Sequence, residues 1–315
     1  MQNISLNKLK KVHFIGIGGI SMSALAEILI EKNIQVSGSD AKASELTNRL
    51  SDSGAKILYG QKSENITPDI DLVVYTAAIH KDNPEFMAAQ QAGIPMMVRA
   101  DFLGLIMKEY SNAINVAGTH GKTTTTSMIS HILLAGNCDP TILVGGMLPS
   151  IGGNLRIGHS ENFVNESCEY TNSFLKFYPT IALITNVEED HLDFFSGIDE
   201  IIASFRQFAY LTKDIGYVVA MGGDKNVQKV LENADDLNII TYGMESKFDY
   251  YPENIVYHAG FPSFDVMKNG EKVCHIKLNV PGEHNILNSL ATVAVCNLMG
   301  VDAETAAKGI ETFKG

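Results

Sequence analysis

The sequence contains no tryptophan and only four cysteines, Cys138, Cys168, Cys274 and Cys296, none of them in a Cys-x-x-Cys pair. That spacing excludes a zinc knuckle and a thioredoxin-type motif. Cysteines scattered this thinly through 315 residues read as buried thiols of a cytosolic protein, not as a disulfide framework. Basic residues are also scarce: 24 lysines and arginines stand against 36 acidic residues, a net charge of −12. Bulk binding of nucleic acid needs a basic face, so that function class is excluded. A local phosphate site built from backbone N–H groups is not. No apolar run reaches the roughly 18 residues of a membrane-spanning helix, so no membrane partner is expected. Lys8, Lys10 and Lys11 do precede an apolar stretch, Val12 to Ala26, in the manner of a signal peptide. Three glycines interrupt that stretch, His13 and Glu27 bracket it, and no small-x-small cleavage site follows. The expected location is the cytoplasm.

What is present is a long, well-mixed globular chain, 45% hydrophobic and 19% charged, without repeats or low-complexity segments. Its length suggests two domains at about 150 residues each. Short apolar runs at Val12–Ile15, Ile34–Ser37, Lys56–Leu58 and Leu72–Tyr75 alternate with helical patterns at Ser21–Lys32, 44–52 and Pro84–Ala92. Ile94–Val98 then leads into a helix from Arg99. Strands alternating with helices imply crossover connections and a parallel sheet, here a Rossmann-like α/β domain over residues 1–108. A second βα series fills 109–315. Its strands are Ala113–Ala117, Phe163–Asn165, Ile181–Thr185, Gly216–Ala220 and Asn238–Thr241. Its helices are Thr123–Ala135, Ile198–Leu211, 224–233, Asn285–Met299 and Ala303–Phe313. Residues 247–280 alternate with period 2 around Lys268-Asn-Gly, which adds antiparallel strands to this P-loop-type domain.

Two glycine loops carry the chemistry. In Val12-His-Phe-Ile-Gly16-Ile-Gly18-Gly19-Ile-Ser21 a strand runs through glycines into a helix. Gly16 and Gly18 fill the first two places of G-x-G-x-x-G, and Ser21 stands where the third glycine belongs. Such a loop lets a phosphate approach the backbone at a helix N-terminus, and Asp40 ends the next strand where an acidic residue meets a ribose. A plain βα turn, with Asp40 as a helix cap, fits the same residues. The second loop, Val116-Ala-Gly118-Thr-His-Gly121-Lys122-Thr123-Thr124, also joins a strand to a helix. There Gly121 curls the backbone around phosphate oxygens, Lys122 reaches the β/γ-phosphates and the Thr123 hydroxyl ligates Mg²⁺. The spacing is short of a standard Walker A loop, because residue 116 is valine and the preceding glycine is Gly118.

Two further strands end in acidic and imidazole groups: Glu166, with Ser167, Cys168 and Glu169 behind it, and Glu188-Glu-Asp190-His191-Leu-Asp193 after Thr185-Asn186. Carboxylate and imidazole at the ligand edge of a parallel sheet can hold a second divalent ion. Glu188 and Glu189 read as solvated, and Asp190 or Asp193 alternatively as a helix cap. Pro281-Gly282-Glu283-His284-Asn285-Ile-Leu-Asn288 is a turn into a helix, with Asn285 and Asn288 on one face, or Asn285 as an N-cap.

Gly118–Thr126, the Thr185-Asn-x-x-x-Asp-His-x-Asp193 segment and the Gly282-x-His-Asn-x-x-Asn288 helix start resemble the Mur ligase family, which shares the shortened P-loop. The His13–Ser23 and Glu166–Phe174 segments are most similar to the member that adds the first amino acid. The resemblance spans the chain and implies an ATP-dependent acid–amino-acid ligase of peptidoglycan synthesis. ATP would phosphorylate the lactyl carboxylate of UDP-N-acetylmuramate, and the amine of L-alanine would attack the acyl phosphate. It implies that Gly118, Thr119, His120, Gly121, Lys122, Thr123 and Thr124, with His284, Asn285 and Asn288, hold ATP. Thr123, Glu166 and His191 would ligate Mg²⁺, and Lys122, Glu166 and His191 would serve catalysis. UDP, not NAD, would occupy the first domain, with Gly16, Gly18 and Gly19 at the pyrophosphate and Ser39 and Asp40 near the nucleoside. The Thr76, Ala77 and Ala78 loop would close on the same ligand. Family members continue into a third domain beyond the equivalent of Glu311–Gly315, so the chain is expected to hold the first two domains only and to be inactive alone. The alternatives are a recycling ligase that joins a tripeptide to the same sugar, a non-catalytic nucleotide-binding module, or a Rossmann oxidoreductase, which has no use for a P-loop.

Overall fold

The computed structural model describes residues 4–214 and 216–315. The chain divides into two compact units, Met1–Lys108 and Glu109–Gly315. In the first, β1 (Lys11–Ile15), β2 (Gln35–Asp40), β3 (Lys56–Tyr59), β4 (Leu72–Tyr75) and β5 (Met96–Val98) form one sheet in the order β3-β2-β1-β4-β5. Every pairing in it is parallel. The crossovers are α1 (Ile20–Glu31), α2 (Glu45–Asp52) and α3 (Pro84–Gln91), and α4 (Arg99–Met107) closes the unit. Local chemistry sets these boundaries. The Ser44 hydroxyl and Thr47 form a reciprocal capping box at α2, and Asn83 accepts from Glu85 N and Phe86 N with Pro84 as the first helical residue of α3. Strand order reverses between β1 and β4, so the ligand crevice of such a sheet lies beyond their C-terminal ends. Those ends carry Gly16–Gly19 and Thr76–Ala78.

The second unit has strands β6 (Asn112–Ala117), β7 (Thr141–Leu148), β8 (Gly153–Arg156), β9 (Asn162–Glu166), β10 (Ile181–Ile184), β11 (Tyr217–Met221), β12 (Ile239–Tyr242), β13 (Tyr250–His258), β14 (Phe261–Lys268) and β15 (Glu271–Lys277). Their spatial order is β15-β14-β13-β12-β11-β10-β6-β9-β7-β8. The stretch from β7 to β12 is parallel, β13 joins it through the single pair Tyr242↔Tyr250, and the rest is antiparallel. Asn269 (φ 50°) and Gly270 (φ 88°) make the two-residue turn expected from Lys268-Asn-Gly. The helices are α5 (Lys122–Ala135), α6 (Ile198–Tyr210), α7 (Lys225–Leu231), α8 (Glu283–Leu298) and α9 (Ala303–Thr312). Met128, Ile129, Ile132 and Leu133 give α5 one buried face against Ile114, Val116 and Val164 of the sheet and Leu290 and Val293 of α8. Among the described residues no helix is long and apolar enough to cross a membrane.

The sequence reading needs one addition and three corrections. The β7–β8 hairpin was not anticipated. Asp190 and Asp193 cap no helix, since α6 begins at Ile198 behind Gly197. Nor is Asn285 an N-cap, because α8 starts two residues earlier behind Gly282. The four cysteines are free, but only Cys296 is buried and Cys168 is exposed, so the expectation of buried thiols holds for one of them.

Candidate active site

In the second unit β6 lies between β9 and β10, and all three run parallel, so their C-terminal ends converge on one edge. The loop after β6 is gripped from behind by the end of β10. Thr119 N donates to Asn186 O (3.1 Å) and His120 N to Asn186 Oδ1 (2.8 Å). In return the Thr185 hydroxyl and the Asn186 amide donate to His120 O, at 2.7 and 2.9 Å. Gly118 is required by this grip: at φ 143° a Cβ would collide with Thr185 Oγ1 and stand 3.1 Å from Asn186 N. Gly121, at φ 82°, is the left-handed N-cap of α5. The first-turn N–H groups of Lys122, Thr123 and Thr124 have no intrahelical acceptor and bring the positive end of the helix dipole to the loop. Thr119 and His120, by contrast, already direct their N–H groups to Asn186.

Lys122 Nζ folds back onto its own loop. It donates to the carbonyls of Gly118 and Thr119 and lies 3.3 Å from Glu169 Oε2. The Thr123 hydroxyl donates to Glu166 Oε1 at 3.0 Å, and Gly145 N donates to Glu166 Oε2 at 2.9 Å. A Cβ at Gly145 would meet the Glu166 carboxylate at 2.9 Å, so this β7 glycine lets the backbone close on it. His191 faces a different carboxylate. Its Nε2 lies 3.9 Å from Glu169 Oε1 and 3.8 Å from Asp190 Oδ2. Ligand atoms of Glu169, Asp190 and His191 all lie within 4.8 Å of one another. Among the described residues no hydrogen bond or ion pair joins Glu166 to His191, so each sits in its own cluster: Glu166 with Thr123, His191 with Glu169.

His191 itself has φ 52°, a left-handed conformation that a non-glycine residue holds only when its surroundings enforce it. Those surroundings are visible. Its amide donates to Asp190 Oδ1, and its carbonyl accepts from Phe194 N and Phe195 N. Its ring lies 4.7 Å from that of Tyr170. The Tyr170 hydroxyl donates to Asp193 at 2.8 Å, and that hydrogen bond pushes the phenol above its ordinary range, so it remains a donor. At the start of α8, Asn285 and Asn288 share a face as expected and are joined at 3.1 Å. Asn288 Oδ1 reaches within 3.0 Å of where a Gly121 Cβ would stand, which sets it against the P-loop, and the His284 ring folds over Gly282.

Sequence reasoning named Glu169 only as a neighbour of Glu166, without a role, and missed Gly145. Glu169 is buried to 2% of its exposed area, between Lys122 and His191. Its only sequence signal is a second carboxylate three residues after Glu166. Gly145 was signalled by the Gly145-Gly146 pair inside an apolar run, which marks a close approach of backbone to another group.

In the first unit the glycine loop is tied to the end of β2. Gly16 N and Ile17 N both donate to Ser39 O at 2.9 Å, and Gly18 N donates to Asp40 Oδ2 at 2.8 Å. Gly16 needs its φ of 83° for the turn, whereas Gly18 is needed because a Cβ would stand 2.8 Å from the Asp40 carboxylate. Gly19 is the N-cap of α1, and Thr76 opens the turn that includes Ala77 and Ala78. Ser39 is buried and donates to Glu85 at 2.5 Å. Burial would push Glu85 up, but the nearby His13 ring and hydrogen bonds from Ser39 and Asn65 outweigh it and hold the carboxyl below its ordinary range. The Ser21 hydroxyl, at the position of the missing third glycine, accepts from Arg99 Nη1 at 2.8 Å. Arg99 therefore brings a guanidinium to the first turn of α1, a role that its position 78 residues away hides from local sequence patterns.

The chain is similar to known proteins along its length. The Mur ligase middle domain matches residues 116–296, and the Mur ligase family catalytic domain matches residues 11–111. A UDP-N-acetylmuramate–L-alanine ligase of Agathobacter rectalis is 53% identical over 316 residues, covering 100% of this chain and 69% of that protein. The ligase of the same name from Caldanaerobacter subterraneus is also 53% identical, covering 99% of this chain and 68% of that protein. Among solved structures, the UDP-N-acetylmuramate–alanine ligase of Thermotoga maritima superposes with TM-score 0.80 at 32% identity, over 97% of this chain and 69% of that one. A UDP-N-acetylmuramate:L-alanyl-γ-D-glutamyl-meso-diaminopimelate ligase from Neisseria meningitides superposes with TM-score 0.86 at 27% identity, over 98% of this chain and 99% of that one. With two domain profiles in order and whole-chain identity above half, the chain belongs to the Mur ligase family.

Proposed function

We propose that this chain carries the UDP-sugar and ATP sites of an ATP-dependent ligase that joins L-alanine to UDP-N-acetylmuramate. The observation that carries the reading is 53% identity, along the whole chain, to ligases of that name. A carboxylate is a poor electrophile. Transfer of the γ-phosphoryl group to its oxygen, with ADP leaving, makes an acyl phosphate. The amine nitrogen then attacks the carbonyl carbon, a proton leaves the nitrogen, and inorganic phosphate departs as the amide forms. In this scheme Lys122 leaves the carbonyls of Gly118 and Thr119 and places its charge on the β/γ-phosphates, while the first-turn amides of α5 hold the phosphate oxygens. The hydroxyl–carboxylate pair of Thr123 and Glu166 offers hard oxygen donors and fits Mg²⁺, and Glu169, Asp190 and His191 fit a second divalent ion. Bound there, such ions screen the charge between two anionic reactants. Asn285 and Asn288, set against the P-loop, face the nucleotide. In the first unit Gly16–Gly19 receive the pyrophosphate, Ser39 and Asp40 lie near the nucleoside, and the Thr76–Ala78 loop borders the same crevice.

A second reading is a ligase for a tripeptide acceptor, favoured by the likeness to the Neisseria structure at TM-score 0.86. Phosphate release by the protein as its gene encodes it separates the two. Release that depends on UDP-N-acetylmuramate and L-alanine, and is absent with the tripeptide, is the expected result. The reverse dependence would replace the first reading by the second. Calorimetry of this chain should show UDP-N-acetylmuramate and ATP–Mg²⁺ binding independently, and NADH fluorescence should not change on mixing.

A further inference from the structure

Just below the site, the central strands contain three polar side chains where apolar ones would be expected. Asn115 on β6 and Asn165 on β9 stand opposite each other in the parallel register, followed by Val116↔Glu166. Ser167 continues the ladder one step, its N–H donating to Val116 O at 2.8 Å. Asn115, Asn165 and Ser167 are 1% exposed or less, while the neighbours Ile114, Val116, Phe163 and Val164 are fully buried and apolar. The three side chains are bonded to one another. Asn165 Nδ2 donates to Asn115 Oδ1 (3.0 Å) and to Ser167 Oγ (2.9 Å), and the Ser167 hydroxyl donates to Asn115 Oδ1 (2.8 Å).

Position gives this triangle its meaning. Asn115 lies three residues before Gly118, where the P-loop begins. Asn165 directly precedes Glu166, and Ser167 lies two residues before Glu169. The triangle therefore bolts β6, whose loop leads to Lys122 and Thr123, to β9, which ends at Glu166 and runs on to Glu169. Three hydrogen bonds within about 0.2 Å of one another tolerate little sliding or splaying of those strand ends. Stability alone does not account for it. Asn165 Oδ1 is buried without a partner, which costs free energy, and aliphatic side chains in such places are commonly neutral or stabilising.

We propose that Asn115, Asn165 and Ser167 are positioning residues that set the distance between the P-loop and the Glu166–Glu169 segment, and so the fit of a divalent cation with its nucleotide. The inference rests on the nucleotide–cation reading of the site above. None of the three touches the nucleotide. Their effect passes through Thr123, Glu166 and Glu169, in the way that outer partners tune metal ligands.

The test is Mn²⁺ binding in the presence of ADP, followed by electron paramagnetic resonance, with thermal unfolding and UDP binding measured on the same samples. Ser167→Ala should weaken Mn²⁺ binding at least about tenfold, and Asn115→Leu by as much or more. Ser167→Thr, which keeps the hydroxyl, should stay within about twofold of the unsubstituted chain, as should UDP binding in every variant. Should Asn115→Leu fail to fold, Ser167→Ala decides alone. Unchanged Mn²⁺ affinity in folded Ser167→Ala, even with a lowered melting temperature, would reduce the triangle to a packing feature and overturn the inference. No Mn²⁺–ADP binding by the unsubstituted chain would overturn the nucleotide reading, and this inference with it.

Discussion

The two glycine loops answer the same demand, a backbone that admits phosphate, in opposite ways. In the first unit the loop carries no cation of its own. Its Gly18 amide is occupied by the Asp40 carboxylate, and a cationic group, Arg99, is delivered from α4 through Ser21. In the second unit the cation is built into the loop as Lys122, and the loop is held from behind by Thr185 and Asn186. Behind each loop stands one buried glutamate. Glu85 accepts hydrogen bonds and anchors Ser39, whereas Glu169 faces Lys122 and His191. The first arrangement suits a ligand that is bound and left chemically intact at its pyrophosphate. The second suits a phosphate chain that must be held while one bond in it breaks, where a mobile charge and rigid amides are both needed.

Substitutions can break this contrast, and the largest effect belongs to the built-in cation. Lys122→Ala should weaken ATP–Mg²⁺ binding by about 10²–10³-fold in calorimetry while leaving UDP-N-acetylmuramate affinity within about twofold. Loss of UDP-sugar binding instead would show that the loops do not divide the work as proposed. Next is Gly118→Ala, which forces a Cβ into Thr185 Oγ1 and the backbone of Asn186. Denaturant titration should show a loss of about 3 kcal/mol confined to the second unit. Glu85→Gln comes third, with a loss of about 2 kcal/mol at pH 7, since an amide group must face donors that a carboxylate accepts. Because the folded carboxyl is held below its ordinary range, its stabilisation is complete above the unfolded value of about 4.3 and is lost as pH falls through the folded value. The gap between wild type and Glu85→Gln in thermal unfolding should therefore narrow below about pH 4. A gap independent of pH would show that Glu85 is not ionised in the fold. The smallest effect is Gly16→Ala. Nothing lies within 4 Å of the new Cβ, so only the φ of 83° opposes it, at about 1 kcal/mol.

Much of this architecture is local and was therefore legible. Val12–Ile15 and the strand into Gly118 announce themselves by short apolar runs before glycines, Leu72–Tyr75 by its apolar run alone, and Asn269-Gly270 names its own turn. The β7–β8 hairpin did not, because Gly145 and Gly146 dilute the strand pattern and the reason for them, the Glu166 carboxylate, lies 21 residues away. The role of Glu169 escaped for a similar reason. Its partners Lys122 and His191 lie on the segments that follow two other strands, β6 and β10, and only the sheet order brings them together. Glu166 and His191 were expected as metal ligands because both follow buried strands at the ligand edge, and the resemblance implied the same. Which carboxylate each one meets was not legible: Glu166 accepts from Thr123, and the left-handed turn at His191 sets its ring beside Glu169.

The clasp of Asn186 on the P-loop has a consequence for local unfolding. Amides in glycine loops ordinarily exchange with solvent deuterium almost as fast as free peptides, because the loop opens without disturbing its neighbours. The amides of Thr119 and His120 are bonded instead to a residue 66 positions or more along the chain, just past the buried strand β10. They should exchange slowly, at a rate set by the opening of β10 and not by the loop itself. A loop with the composition of a flexible linker would then behave, on the timescale of minutes to hours, as part of the sheet's most protected cooperative unit.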